Sequence, residues 1–179
     1  MAQAKRKKRF FNVEIPLVNK ETQLIAYEPE TLEGKHIKYD LTRLLRGKST
    51  ILTLVVKKQG EALTSIPKEL QLMPYYLRRM IRKGTNYVED SFSAETKDSQ
   101  IKIKPFLITR RKVSRAVRKA LREKAREELI AYVKDKDSEE IFQEVLRNSI
   151  QKTLSFKLKK IYPLSLCEIR TLRVEKRKE

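Results

Sequence analysis

Tryptophan is absent, cysteine and histidine occur once each, as Cys167 and His36, and there are only four glycines. One thiol excludes an intrachain disulfide and any cluster of several thiolates on a metal, and it fits a reducing compartment. A lone imidazole without Cys or His neighbours reads as a surface or packing residue rather than a metal ligand. Four scattered glycines leave no Gly-rich phosphate loop. The most apolar run, Ile51 to Val56, is far shorter than the ~20 residues a membrane helix needs. The basic N-terminus is not followed by a signal-type apolar stretch. These absences predict a soluble, cytoplasmic protein with no cofactor, no metal and no membrane attachment.

Acid is scarce as well. Lys and Arg number 42 against 23 Asp and Glu, giving a formal net charge of +19. Charged residues make up 36% of the chain, where about 25% is usual. Even so, the apolar positions are periodic, and 179 residues suit one domain able to bury roughly 70% of its unfolded surface. The expected organisation is a disordered basic tail over residues 1–9, one α+β domain over 10–174, and a charged tail over 175–179. Taking away the leader's five positive charges and the net +2 of residues 173–179 leaves +12 on the body. A folded domain with that excess calls for a polyanionic partner, because uncompensated like charge opposes compaction.

The organising stretch runs from Gln100 to Val133. Its first ten residues alternate apolar and basic as a half-buried strand does, and at Thr109 the period becomes helical. At about 100° per residue, Arg111, Arg115, Arg118, Arg122 and Arg126 share one stripe. Val113, Ala116, Val117, Ala120 and Leu121 fall opposite, so the expected helix lies on a core and holds five guanidiniums outward. Further along, Ala125, Leu129, Tyr132 and Val133 drift onto the arginine sector, so the two halves must meet different surroundings. A charged stripe is most often a solvated face. Here no acid enters it before Glu123 and Glu127, so the usual lattice of alternating signs is missing. The choice of Arg adds chemistry, because its planar fork matches phosphate oxygens. RNA or DNA phosphates are the indicated partner.

The remaining elements read as short strands followed by helices. Phe10 to Ile15, Thr22 to Tyr27, His36 to Leu41, Ser49 to Lys57 and Glu61 to Ile66 are strand candidates, with Ser49 to Lys57 continuous enough for burial on both faces. A helix over Pro74 to Lys83, stopped by Gly84, buries Tyr76, Leu77, Met80 and Ile81 and exposes Arg78, Arg79, Arg82 and Lys83. Asn86 to Glu95 forms a hairpin with Gln100 to Thr109. A helix from about 138 to 160 starts in a capping box of Asp137 and Glu140, and Leu164 to Val174 closes the domain. Six to seven strands and three helices imply an α+β fold with a small, mainly antiparallel barrel or sheet. The candidate RNA-binding set is Lys5, Arg6, Lys7, Lys8 and Arg9 in the leader, then Arg78, Arg79, Arg82 and Lys83. It continues with Arg110, Arg111, Lys112, Arg115, Arg118, Lys119, Arg122 and Arg126. Tyr75 and Tyr87 are available for base stacking, whereas Tyr76 has core spacing. Asp90 with Glu95 and Lys97 could in principle hold Mg²⁺ for a nuclease, but a charged hairpin tip accounts for them better.

Three segments carry a resemblance. Tyr76-Leu77-Arg78-Arg79-Met80-Ile81-Arg82-Lys83-Gly84-Thr85, then Thr96-Lys97-Asp98 through Phe106 to Arg110-Arg111, and Lys160-Ile161-Tyr162-Pro163-Leu164 with Cys167-Glu168-Ile169-Arg170 resemble the archaeal and eukaryotic small-subunit ribosomal protein family called S-three-a-e, or e-S-one. Weaker similarity reaches Phe10-Phe11-Asn12-Val13 and Glu30-Thr31-Leu32-Glu33-Gly34. The resemblance implies a non-enzymatic, ribosome-bound structural protein that binds rRNA on the small-subunit platform, near the rRNA 3′ end and the mRNA exit. Its implied partners are the rRNA, neighbouring platform proteins and mRNA near the exit channel, and the short chain points to the archaeal branch. One departure is that the family's Trp near the start is replaced here by Arg9-Phe10-Phe11. A free RNA chaperone or translational regulator is the alternative reading, and the nuclease a remoter one.

Overall fold

Alternation of apolar and polar residues builds most of the strands. In a computed structural model that describes residues 7–60 and 62–177, the chain forms two compact units, Met1–Tyr39 with Leu52–Lys68 and Asp40–Ile51 with Glu69–Glu179. Among the described residues there are nine strands and four α-helices. The class is α+β, and of the two expected forms the unclosed sheet is the one observed.

In the first unit, β1 (Arg9–Ile15) and β2 (Lys20–Ala26) pair as an antiparallel hairpin with Val13 opposite Thr22. Asn19 in its turn takes φ +52°, a left-handed conformation that Asn tolerates better than most residues. Val13 and Ile15 are buried, while Phe10 on the other face of β1 is exposed. β1 also pairs in parallel with β5 (Ala62–Leu72), Val13 opposite Leu63. β3 (His36–Asp40) pairs with β4 (Thr50–Gln59), and β4 with β5. Leu52, Leu54 and Val56 of β4 are buried, but Ile51, Thr53 and Val55 are only half-buried. Burial on both faces is therefore not realised, because this unit has no α-helix among its described residues to close a second face. His36 is exposed, its Nε2 accepting a 2.8 Å hydrogen bond from the Lys68 ammonium.

The second unit is organised on β8 (Ser99–Thr109), the strand expected from the alternation. Along its length it pairs antiparallel with β9 (Leu164–Arg177), and register shifts occur beside Gln100, Pro105 and Thr109. Pro105 lacks an amide hydrogen, and a register irregularity is where a strand tolerates that. β9 continues to Arg177, so residues 175–177 are strand. On the other edge of β8, the segment Asn86 to Glu95 divides at Asp90-Ser91 into β6 (Tyr87–Glu89) and β7 (Phe92–Glu95). The end of β5 pairs with β9, Leu70 opposite Leu172.

α1 (Pro74–Met80) begins on its proline and ends three residues earlier than its glycine stop would place it. Tyr76 and Leu77 pack with Leu72, Phe106 and Ile108, and Met80 and Leu166 border this cluster. Ile81, expected on the same buried face, is extended and exposed.

α2 (Arg115–Val133) follows, capped by the Ser114 hydroxyl accepting from the Val117 amide at 3.4 Å. The last expected helix is two, α3 (Ser138–Leu146) and α4 (Ser149–Leu158). Asn148 sits between them at φ +59°, which ends one helix as readily as Gly would. Gln151 reinforces the break, its Nε2 donating at 2.9 Å to the Val145 O that also accepts from the Asn148 amide at 3.1 Å. The expected capping box is absent too, since Asp137 makes no side-chain cap bond. Asp98, from the β7–β8 turn, does that work: its Oδ1 accepts from the Ser138 amide at 2.9 Å and its Oδ2 from the Ser138 hydroxyl at 2.5 Å.

Candidate nucleic-acid interface

The surroundings of α2 decide what its arginines can do. Its buried residues are Leu121, Ala125, Leu129 and Val133, one every four positions. At about 100° per residue that row spans the sector from 0° to 120° measured from Leu121, and Arg115, Arg118 and Arg122 fall inside it. The expected arrangement, with arginines directly opposite the core, is therefore corrected. Ala116 is exposed, Val117 and Ala120 are half-buried, and the arginine stripe is the N-terminal continuation of the buried stripe. The drift of Leu129 and Val133 onto the arginine sector was the sequence signal for this. Arg111 is not on the helix, which starts only at Arg115.

Where the core ends, the stripe faces β6 across an open groove of about 400 Å³ lined by Arg115, Arg118, Arg122, Tyr87, Val88 and Glu89. Tyr87 is 53% exposed, and its ring is held stacked on Phe106, centroids 6.0 Å apart and planes 20° from parallel. Arg118 is half-buried, and its Nε is buried with no hydrogen-bond partner among the described residues. Glu89, the one carboxylate in the lining, is bound by Arg170 at 3.1 Å from outside the lining. One turn further along α2, the Arg126 guanidinium lies 5.4 Å from the centre of the Phe92 ring, a cation–π contact that fixes its direction.

A second group of basic residues is gathered at the N-terminal end of α2 by one asparagine. The Asn86 amide and carbonyl both bond Thr109, at 3.1 and 2.9 Å to its hydroxyl and amide, and the Asn86 Oδ1 accepts from the Val113 amide at 2.9 Å. This latch joins the turn after α1 to the connection between β8 and α2. The turn is closed by Thr85, whose hydroxyl donates to Arg82 O at 2.7 Å, and Gly84 takes φ +88° within it. Arg82 and Lys83 are thereby placed beside Arg110, Arg111 and Lys112, all of them exposed. Arg78 is exposed on α1, and the Arg79 guanidinium lies 5.8 Å from the Tyr76 ring centre. Tyr76 itself is core, as its spacing implied, while Tyr75 is exposed.

The leader is only partly described. Lys5 and Arg6 lie outside the described residues. Lys7, Lys8 and Arg9 belong to the first unit, with the Lys8 ammonium 5.4 Å from the Tyr27 ring centre.

Among the described residues, none of Arg78, Arg79, Arg82, Lys83, Arg110, Arg111, Lys112, Arg115, Arg118, Arg122 and Arg126 has a carboxylate within ion-pair distance. Lys119 is the exception on this helix face, 3.7 Å from Glu123. Downstream the signs do alternate, and Lys124 bridges Glu127 and Glu128 at 3.2 and 3.4 Å. Acid and base are thus segregated along α2. The arginines of its first half can receive phosphate oxygens without first releasing an internal partner.

Among the described residues no three His, Cys, Asp or Glu side chains stand close enough to share a metal ion. The Asp90 carboxylate accepts from the Ser91 amide, and Glu95 lies within β7 opposite Gln100. Burial pushes the Cys167 thiol up to about 12, which disfavours the reactive thiolate. Val88 and Glu89 were not anticipated as part of the site. Their position opposite Leu107 and Phe106 on β8 comes from strand register, which no local pattern announces.

The model of the Ribosomal S3Ae family matches residues 2–178. The chain is 24% identical over 183 residues to the small ribosomal subunit protein eS1 of Nanoarchaeum equitans, covering 97% of this chain and 92% of that protein. It is 27% identical over 186 residues to eS1 of Halorubrum lacusprofundi, covering 99% and 86%. Against eS1 of Methanothermobacter thermautotrophicus identity rises to 34% over 105 residues, covering 58% and 54%.

Proposed function

The chain belongs to the ribosomal S3Ae family, and we propose that, as a structural component of the small ribosomal subunit, it binds rRNA through the arginine surface of its second unit. Like the eS1 proteins it resembles, it is a structural protein and not an enzyme. The observation that carries the RNA reading is the groove of Arg115, Arg118 and Arg122, whose single carboxylate is held by Arg170. A solvated helix face would show interleaved acids there, as the second half of α2 does.

Contacts made through guanidiniums and a groove wall favour shape and phosphate position over base sequence, which suits a folded RNA. Arg78 to Lys83 and Arg110 to Lys112 of the same unit extend the surface, and Lys5 to Arg9 of the leader are further candidates for RNA contact. Placement on the platform, near the rRNA 3′ end and the mRNA exit and beside other platform proteins, is what the family resemblance adds, with a cytoplasmic, ribosome-bound location. Sedimentation of native lysate through sucrose in Mg²⁺, before and after a high-salt wash, tests the assignment. Stoichiometric recovery with the small subunit is the expected result. Recovery at the top of the gradient would favour a free RNA chaperone or translational regulator instead.

A further inference from the structure

A second basic groove lies on another part of the same unit, between α4 and the start of β9. It has a volume of about 550 Å³, within the roughly 300–1,000 Å³ of ligand-binding clefts. Phe156 lines it and is 73% exposed, the largest exposure among the chain's exposed large apolar side chains. Lys152 and Lys159 stand four residues before it and three after, also in the lining and exposed. Residues at these spacings share one helix face, so a bare aromatic ring is flanked by two ammonium groups. The pairing of Lys157 with Glu128, by contrast, occupies a different side of the helix.

The floor of the groove is fixed rather than soft. Glu168 is held by the Lys48 ammonium at 2.5 Å, and the same ammonium donates to Asn148 Oδ1 at 2.8 Å. The only carboxylate in the lining is therefore already neutralised. Gln151 is 4% exposed, and its Oε1 has no hydrogen-bond partner among the described residues while its Nε2 is spent on Val145.

We propose that this α4–β9 groove is a docking site for an unpaired RNA nucleotide, whose base stacks on Phe156 while Lys152 and Lys159 hold the flanking phosphates. The inference rests on the RNA-binding reading and adds a class of RNA to it. The α2 surface fits phosphates of a folded backbone, whereas an exposed aromatic flanked by lysines is the device for a single strand, since every base offers a π-face.

Fluorescence anisotropy of a short labelled oligouridine and of a blunt RNA duplex, each titrated with the full chain, tests this. Phe156→Ala is expected to weaken oligouridine binding about ten- to a hundredfold and to leave duplex binding unchanged, while Phe156→Tyr retains both. The thermal transition of Phe156→Ala should match the parent because the ring is exposed. Equal oligouridine affinity of Phe156→Ala and the parent would overturn the groove assignment alone. Failure of the parent chain to bind either RNA would overturn the underlying RNA reading as well. If Phe156→Ala keeps its oligouridine affinity but is lost from small subunits, the groove serves a protein neighbour and the proposal is wrong.

Discussion

Replacing Arg115 and Arg122 together by Gln isolates the phosphate-binding part of the argument. Both side chains are exposed, line the groove against β6 and have no carboxylate partner among the described residues. Their loss should not unfold the domain. Each neutralised phosphate contributes about 0.7 to 0.9 to the slope of log affinity against log salt, the lower figure applying to single strands. If each arginine engages one phosphate, the double variant loses about 1.4 to 1.8 from that slope. Between 50 and 200 mM salt, a fourfold change, the parent's affinity should fall about 7- to 12-fold more steeply than the variant's. The assay is filter binding of a small-subunit rRNA transcript at several KCl concentrations, with the circular dichroism spectrum and melting temperature as controls. Arg170→Gln should weaken binding as well, because freeing Glu89 from its 3.1 Å partner places a bare carboxylate in the groove. Parallel salt plots for the parent and the Arg115/Arg122 variant, with unchanged folding, would refute the claim that these guanidiniums meet phosphate.

Three further substitutions test the fold that holds the site. Leu129 is 1% exposed, so Leu129→Ala should destabilise by about 2–5 kcal/mol in urea unfolding, whereas Ile130→Ala, at 39% exposed, should stay within about 0.5 kcal/mol; equal losses would mean that α2 is rotated from the face described. Asp98→Ala removes a cap from α3 and should cost about 0.5–2 kcal/mol at neutral pH, with no loss at all showing the cap to be unused.

Which of these features the sequence announced follows from how local each signal is. The alternation of Ile101, Ile103 and Lys102, Lys104 places β8 correctly because it needs only neighbouring residues. The end of the basic helix at Val133 and the buried position of Tyr76 are legible for the same reason. The wheel of α2 misleads because Ala116 is exposed and Val117 only half-buried, while Arg118, with its long aliphatic stem, is half-buried on the core side. Asn148 breaks the last helix through a backbone conformation that has no period to read. Phe156 did leave a trace: two residues beyond Leu154 it is about 200° away from the apolar face, so its exposure follows from the helical period. The Asn86 latch reaches 23 and 27 residues along the chain, and only the fold brings its ends together.

The acid limb of stability gives the Asp98 cap a signature that a merely bulky residue would not have. Burial raises the carboxyl's proton affinity, but the Ser138 hydroxyl and amide and the Thr96 hydroxyl donate to it and outweigh that effect, so its value lies below the ordinary 3.8. A group lowered on folding stabilises the native state fully above its unfolded value, and that contribution is lost as pH falls through the folded one. The gap between the parent and Asp98→Ala should thus be constant at neutral pH and close progressively below about 3.8. Asp98→Asn keeps an oxygen that can accept from the Ser138 amide but cannot be ionised, so its loss relative to the parent should be smaller and should fade over the same acid range. Urea midpoints measured from pH 7 down to pH 3 distinguish these outcomes. A gap that stays constant through that range would mean that the Asp98 side chain acts by shape, and that α3 and the β7–β8 turn are joined by packing rather than by charge.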